Sequence, residues 1–285
     1  AAGQLFVSHS TTSRTVSALE RELGVPLLVR DRHTVALTPA GQIYVQSARR
    51  FLQIEAQMNE SLAALSGRQT GLLRLGLPMQ RADELLPQVL PEFQSAYPDV
   101  RLQAVSARND ALEAGLLGGE LDMALLFGEA ENEKLDYQLI ASDEVILVAG
   151  RKTALAQRVP SGSTVSLSAC EGEKFVLPAE NLPFARAYDE LLARAALSPF
   201  VAIRTDDSQC AKRVCAACSL VMLCPFITLL SDTPAMQQLA HYRLSDAVYT
   251  PLYMAHPKDM PLTPYAQALY TIMSNRFRAM TAYRL

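Results

Sequence analysis

Ser8-His9-Ser10-Thr11-Thr12-Ser13-Arg14-Thr15-Val16-Ser17-Ala18-Leu19-Glu20-Arg21-Glu22-Leu23-Gly24-Val25-Pro26-Leu27-Leu28-Val29-Arg30 is the stretch on which the fold turns. Val16, Leu19 and Leu23 recur at i, i+3 and i+7, one buried face of a helix from His9 to Leu23 with Ser8 as its N-cap. Gly24 suits the left-handed position after a helix, and Pro26 cannot continue one. Upstream, Ala1 to Leu5 reads as the end of a short helix and Phe6-Val7 as a turn. Downstream, Leu27–Arg30 and Val35–Thr38 read as short strands on either side of a turn, Asp31 to Thr34. Helix, turn, helix and a small hairpin together make a winged helix-turn-helix; a generic helical hairpin with a basic turn is the alternative. Away from the apolar stripe and in the first turn stand His9, Ser10, Thr11, Ser13 and Arg14. Short hydrogen-bonding groups and a guanidinium suit the base edges and phosphates of a major groove.

Thr38-Pro39 then opens another helix, with Thr38 as cap and Pro39 at the first helical position. No Gly or Pro follows Gly41 until Gly67, so one helix of about 25 residues, near 40 Å long, is expected. Tyr44, Phe51, Met58 and Leu65 fall seven apart, Ala48 and Leu62 sit at the complementary positions, and Glu55 interrupts that second ladder. A seven-residue repeat predicts a two-stranded coiled coil between subunits. Packing of this helix on the chain's own remaining body is the other reading.

Residues 1–50 carry six arginines against Glu20, Glu22 and Asp31, a net of +3, while residues 71–285 carry 19 basic and 24 acidic groups, a net of −5. A basic head on an acidic body is the charge pattern of a nucleic-acid contact kept apart from a sensor. The body, beyond a hinge-like break at Gly67 to Gly71, alternates strand and helix. Leu72–Leu77, Val100–Val105 and Leu121–Phe127 read as strands, and Ala82–Ala96 and Asn109–Leu117 as helices. That βαβαβ order demands parallel strands in an open α/β sheet. A second set follows, with strands at Val145–Val148, Phe175–Leu177, Val201–Ile203 and Leu220–Leu223 and helices at Phe184–Ala195 and Ser208–Ala217. Two α/β lobes imply a cleft, and ligands of such sheets bind beyond the carboxyl ends of the strands.

Ala1-Ala2, Leu5, Val7-Ser8, Ser13-Arg14, Leu19-Glu20, Glu22 to Leu28, Arg30 and Leu37 to Gly41 resemble, in order, the DNA-binding domain of LysR-type transcriptional regulators. Looser matches run on through Leu73 to Pro78, Leu86-Pro87, Tyr97 to Leu102, Gly119 to Leu125, Phe175 to Pro178 and Asp206 to Ser208, so the resemblance covers nearly the whole chain. It implies an α/β chain of three parts: a winged helix-turn-helix over 1–41, a linker helix and hinge over 42–70, and an effector domain over 71–285. The effector domain would be two-lobed and akin to periplasmic binding proteins of type 2, with lobe I about 71–142 and 248–285 and lobe II about 143–247. The helix opening at Ser8 would read DNA, and Arg30, Arg32, His33 and Thr34 would lie in the wing. A further helix ahead of Ala1 is implied, so the head is expected to be truncated. Thr12 stands where the family has an apolar residue, and Ser10 where it commonly has Pro.

By position, the effector is expected to meet Met79, Gln80, Arg108, Asn109, Phe127, Pro178, Asp207, Ser208 and Phe226. Arg108 and Asn109 open a helix, where free N–H groups and a guanidinium favour an anion, so a small carboxylate is the expected ligand; a solvated Arg108 is the alternative. Pro78-Met79-Gln80 supplies no hydroxyl where the family often has one, which points to a less polar pocket. Gly is common in the family at the positions of Cys218 and Leu220, and a Cβ forced to positive φ there would be strained, so the turn is expected to follow a different path. The expected partners are double-stranded promoter DNA, a small-molecule effector, RNA polymerase and further copies of the chain in a homodimer or homotetramer; no membrane and no cofactor are expected.

Five cysteines, four of them at Cys210, Cys215, Cys218 and Cys224, are no secreted disulfide framework. They read as small buried hydrophobes in a cytoplasmic protein, with a redox or metal sensor as the alternative. Cys215-x-x-Cys218 is half a zinc site, without a second pair or nearby His to complete it, so no metal is expected. No glycine-rich phosphate loop, Gly-x-Ser-x-Gly elbow or His-Glu-x-x-His is present, and His9, His33, His241 and His256 stand apart, so catalysis is not expected. A solute-binding protein would share the two lobes but has no use for the head. Leu220 to Leu230, the longest apolar run, is interrupted by Pro225 and too short to span a bilayer.

Overall fold

Leu23 is the last residue of α1 (His9–Leu23), and Gly24 follows at φ 71°, a left-handed stop that costs glycine no Cβ clash. The computed structural model describes residues 9–30, 35–65, 69–78, 82–128, 130–180, 182, 185–230 and 234–282. Glu20 joins the helix to the hairpin: its Oε1 accepts from the Leu27 and Leu28 N–H groups at 2.8 and 3.1 Å. β1 (Leu28–Arg30) and β2 (Val35–Leu37) pair antiparallel with Leu28 opposite Leu37. Thr38 then caps α2 (Pro39–Leu65), accepting from the Gly41 N–H at 2.9 Å and donating to the Pro26 carbonyl at 2.7 Å. Gly41 is required here, because a Cβ would fall 2.0 Å from the Leu27 carbonyl oxygen.

Lobe I begins with β3 (Gly71–Pro78), α3 (Ala82–Ala96), β4 (Val100–Ala107), α4 (Asn109–Leu117) and β5 (Met123–Phe127). β3 pairs in parallel with both β4 and β5, as the alternation of strand and helix demands. β6 (Leu135–Gly150) then runs for 16 residues, far beyond the four apolar residues that mark it in the sequence. Its first part, from Leu135 to Glu144, mixes polar and apolar residues and ends on Ser142-Asp143-Glu144, and therefore carries no continuous apolar signal.

Lobe II holds α5 (Ala154–Arg158), β7 (Thr164–Val165), β8 (Lys174–Pro178), α6 (Ala185–Arg194), β9 (Phe200–Thr205), α7 (Ser208–Cys218), β10 (Val221–Pro225), α8 (Pro234–Gln237) and β11 (Leu239–Leu244). The chain returns through β12 (Tyr249–Pro257) and α9 (Pro264–Ala282) to lobe I. β6 links the two halves. Residues Leu135 to Glu144 pair with β12, and residues from Val145 onward pair with β10 and β11. Alternation along β6 sends Val145, Leu147 and Ala149 into one apolar cluster of lobe II and Ile146 and Val148 into another. Both faces of that sheet are thus covered, the condition for a parallel sheet in water. Lobe I is built likewise, with Leu73, Leu75, Val89, Phe93, Leu269 and Met273 on one side and Leu112, Leu116 and Leu121 on the other.

The turn after α7 takes its own path. The left-handed residue is Ser219, at φ 55° and ψ 54°, between the two positions where the family commonly has glycine.

Candidate functional site

Two surfaces carry the chemistry that the sequence points to. On α1, Ser10, Thr11 and Arg14 are exposed and Ser13 is half-buried, with His9 opening the helix. Thr15, which the sequence reading passed over, is exposed one turn beyond Thr11, beside Arg14, so the outward face is wider than expected. Arg30 closes β1. Ser8, Arg32, His33 and Thr34 lie outside the described residues. Of the three residues that set the helical period, Val16 and Leu19 are half-buried and Leu23 is exposed, so the expected buried face is only partly covered.

The second surface is a cleft enclosing about 70 Å³ between the lobes. Phe127, at the end of β5, and Thr250, on β12, come from lobe I; Pro178, Asp207, Ser208, Met222 and Thr228 come from lobe II. β5 and β8 deliver Phe127 and Pro178 from their carboxyl ends, where open α/β sheets leave room for ligands. Of the nine residues expected at an effector, Phe127, Pro178, Asp207 and Ser208 line this space. Phe226 is half-buried in the turn after β10, between Pro225 and Thr228 of the wall. Met79 and Gln80 lie outside the described residues.

Arg108 and Asn109 are placed differently. The Arg108 guanidinium reaches its neighbour Asp110, Nε to Oδ1 at 3.4 Å, and is not part of the cleft wall. Asn109 Nδ2 donates to the Phe127 carbonyl at 2.6 Å, so it secures the end of β5. Asp207 caps α7, accepting from the Gln209 and Cys210 N–H groups at 2.8 and 3.0 Å. The chain therefore supplies its own anion to that helix start.

Sequence reading missed the most deeply placed charge. Lys212 belongs to the cleft wall and is 1% exposed. Its Nζ meets Glu84 Oε1 of α3 at 2.5 Å. A lysine in Ser-Gln-Cys-Ala-Lys-Arg reads as solvated, yet it flanks the buried stripe of Ala211 and Cys215 on α7.

Cys224 lines the cleft, whereas Cys210, Cys215 and Cys218 do not, and none of the five cysteines is in a disulfide. Burial, with Cys224 nearby, pushes the Cys215 thiol up to about 12. Among the described residues no cluster of His, Cys, Asp and Glu is placed to hold a metal. His241 and His256 serve the fold: Ser161 Oγ lies 3.2 Å from His241 Nδ1, and His256 Nδ1 meets the Pro257 and Met260 carbonyls.

Residues 66–278 match the LysR substrate binding domain family, and residues 1–42 match the bacterial regulatory helix-turn-helix proteins of the lysR family. The chain is a LysR-type transcriptional regulator. It is a DNA-binding regulator with an effector-binding domain, not an enzyme. Among relatives of this regulator, the HTH-type transcriptional regulator YybE of Bacillus subtilis is 25% identical over 217 residues, 76% of this chain and 73% of YybE. Full-length CbnR complexed with its target DNA superposes with a TM-score of 0.65 at 24% identity, over 97% of this chain and 92% of CbnR. The effector binding domain of BenM with its effector benzoate superposes with a TM-score of 0.61 at 22% identity, over 75% of this chain and 93% of that one. No helix among the described residues is long and apolar enough to cross a membrane.

Proposed function

We propose that two or four copies of this regulator bind promoter DNA as a homodimer or homotetramer, and that a small carboxylate entering the cleft alters how the heads are placed. The cleft itself carries this reading: its walls come from both lobes, so a ligand that touches Phe127 or Thr250 on one side and Pro178 or Ser208 on the other distinguishes two lobe arrangements. Differential affinity for two states is what a switch requires. An acidic ligand is supported by the buried ammonium of Lys212 in the wall and by the benzoate effector of the BenM domain. Phe127, Val176, Pro178 and Met222 offer apolar contact to its body.

On the DNA side, the first turns of α1 enter the major groove with Ser10, Thr11, Ser13 and Arg14. Ser8 and His9 at the start of the reading helix join them, and Arg30, Arg32, His33 and Thr34 serve the backbone. RNA polymerase is the partner that receives the signal, and the cytoplasm is the compartment.

Selection of bound sequences from a random duplex pool by the full chain tests the first half. An interrupted palindrome is expected, and Arg14→Ala weakens binding roughly tenfold or more, the scale of one lost base contact. A pool that enriches no sequence overturns the DNA reading. For the cleft, small aliphatic and aromatic carboxylates are tested by thermal shift on the full chain. A binder at 100 times its Kd stabilises by about 2.7 kcal/mol, and Thr250→Trp, which fills the cleft, abolishes the shift. Undiminished binding to the filled variant overturns the cleft as the effector site.

A further inference from the structure

Glu84 and Lys212 are joined across the two lobes. Glu84 stands on α3 of lobe I and Lys212 on α7 of lobe II, with Nζ 2.5 Å from Oε1 and side chains only 1% and 2% exposed. Three features make this pair exchangeable. Removing two charges from water carries a desolvation cost that a single contact repays poorly. Glu84 Oε2 is also buried and has no hydrogen-bond partner among the described residues, so the carboxylate is held through one oxygen. An ammonium has three donors, and Lys212 contributes to the cleft wall whereas Glu84 does not. A ligand in the cleft therefore meets the lysine and not its partner.

The remaining charges of the described wall do not compete for an acid. Asp206 and Asp207 are exposed at the rim, where water and salt screen them, and Asp207 is engaged by two backbone N–H groups. Lys212 is the one buried cation of the described wall.

We propose that Glu84 is a built-in stand-in for the effector's carboxylate: an acid entering the cleft takes its place on the Lys212 ammonium and so releases lobe I from lobe II. This rests on the reading of the cleft as the effector site. No covalent bond changes, and one carboxylate replaces another on the same ammonium. The displaced Glu84 cannot stay buried and unpaired without a large penalty. Its movement toward water couples ligand entry to a shift between α3 and α7.

Chemical rescue tests the exchange in the full chain, with acetate and butanoate as probes and acetamide and butanamide as neutral controls. Glu84→Ala lowers the Tm and opens a hole beside the ammonium. The two acids then restore Tm saturably, the amides do not, and Glu84→Ala combined with Lys212→Met responds to neither. Glu84→Gln keeps the shape without the charge and binds butanoate roughly tenfold or more tighter than the parent, the scale of one charge-assisted hydrogen bond. Should Glu84→Ala fail to fold, Glu84→Gln carries the test alone. Rescue by amides equal to that by acids overturns the proposal, as does rescue that persists without Lys212 or silence of both Glu84 variants toward acids. Thr250→Trp separates the two readings. An acid response lost on filling the cleft yet indifferent to Lys212→Met refutes the lysine and spares the cleft; one that survives filling but needs Lys212 refutes the cleft.

Discussion

The Gln53 side-chain amide donates to Asp122 Oδ1 at 2.6 Å, fastening the long helix that carries the head to lobe I. The same stripe of α2 places Gln46 against the Leu117 carbonyl at 2.7 Å, Arg49 against Glu120, Arg50 against Asp259 at 3.2 Å and Glu60 against the Tyr265 hydroxyl. Tyr44, Phe51, Met58 and Leu62 lie on another face and are exposed. The polar face of the helix rests on its own lobe, as the second reading of its sequence expects, and the apolar face is exposed in the single chain.

Asp122 gives that seam a pH dependence. Burial raises its carboxyl above the ordinary 3.8, while the Arg74 N–H and the Gln53 amide pull it back. An acid with a raised value binds its proton more tightly folded than unfolded. Its stabilising contribution is complete below about 3.8 and is lost as pH rises through the raised folded value. Urea midpoints of Asp122→Asn should therefore fall less steeply than those of the parent as pH rises above about 4. Gln53→Ala removes a donor that favours the charged form and should steepen the fall. Parallel curves for all three chains would rule the carboxyl out as the source.

Phe51 tests the apolar face. It is 73% exposed, a large area for an isolated aromatic ring to leave in water. Pairing two copies about a two-fold axis buries it twice, at about 2–3 kcal/mol for each ring. Phe51→Glu should leave the secondary structure and Tm of the chain nearly unchanged, yet shift its sedimentation toward a monomer and weaken DNA binding. An oligomer of unchanged size and affinity would mean that other surfaces hold the copies together.

The legible elements were those whose signal is local. Val16, Leu19 and Leu23 set α1, the run free of Gly and Pro set α2, and the alternation after Gly71 set β3 to β5. β11, β12 and α9 were not read at all. Tyr249 to Pro257 has no clean alternation, because β12 pairs with β5 and with β6 and its two faces meet different surroundings. In the cleft, Phe127, Pro178, Asp207 and Ser208 were found through strand ends and helix starts. Lys212 and Glu84 were missed because their burial comes from α3 docking on α7, 128 positions apart in the chain, and neither segment alone shows a dry environment.

The cysteines divide by exposure. Cys218 is exposed and Cys215 is buried, its Sγ donating to the Leu220 carbonyl at 2.9 Å. The thiolate is the reactive form, and a thiol raised from the ordinary 9.0 to about 12, chiefly by burial, stays protonated in the fold. The stability this brings is complete below about 9 and is lost as pH rises through about 12. A disulfide reagent near neutral pH should label Cys218 first and reach Cys215 only on unfolding, so Cys218→Ser removes the fast phase and Cys215→Ser does not. Rapid labelling of Cys215 in the native chain would revive the redox alternative.

Gly150 and Ser219 set the last prediction. A Cβ on Gly150 would lie 2.7 Å from Ser219 Cα and 2.8 Å from the Cys215 carbonyl oxygen, both backbone atoms that cannot swing aside. Gly150→Ala should thus cost about 1–3 kcal/mol or more, the range for overpacking a filled interior. Ser219 itself holds φ 55° and ψ 54°, a left-handed conformation that costs a residue with a Cβ about 1–2 kcal/mol. Ser219→Gly relieves that strain but frees the unfolded chain, so a net gain of about 1 kcal/mol is the upper expectation. Denaturant midpoints of the two variants should move in opposite directions. A Ser219→Gly variant less stable than its parent would show that the serine side chain contributes more than its backbone strain costs.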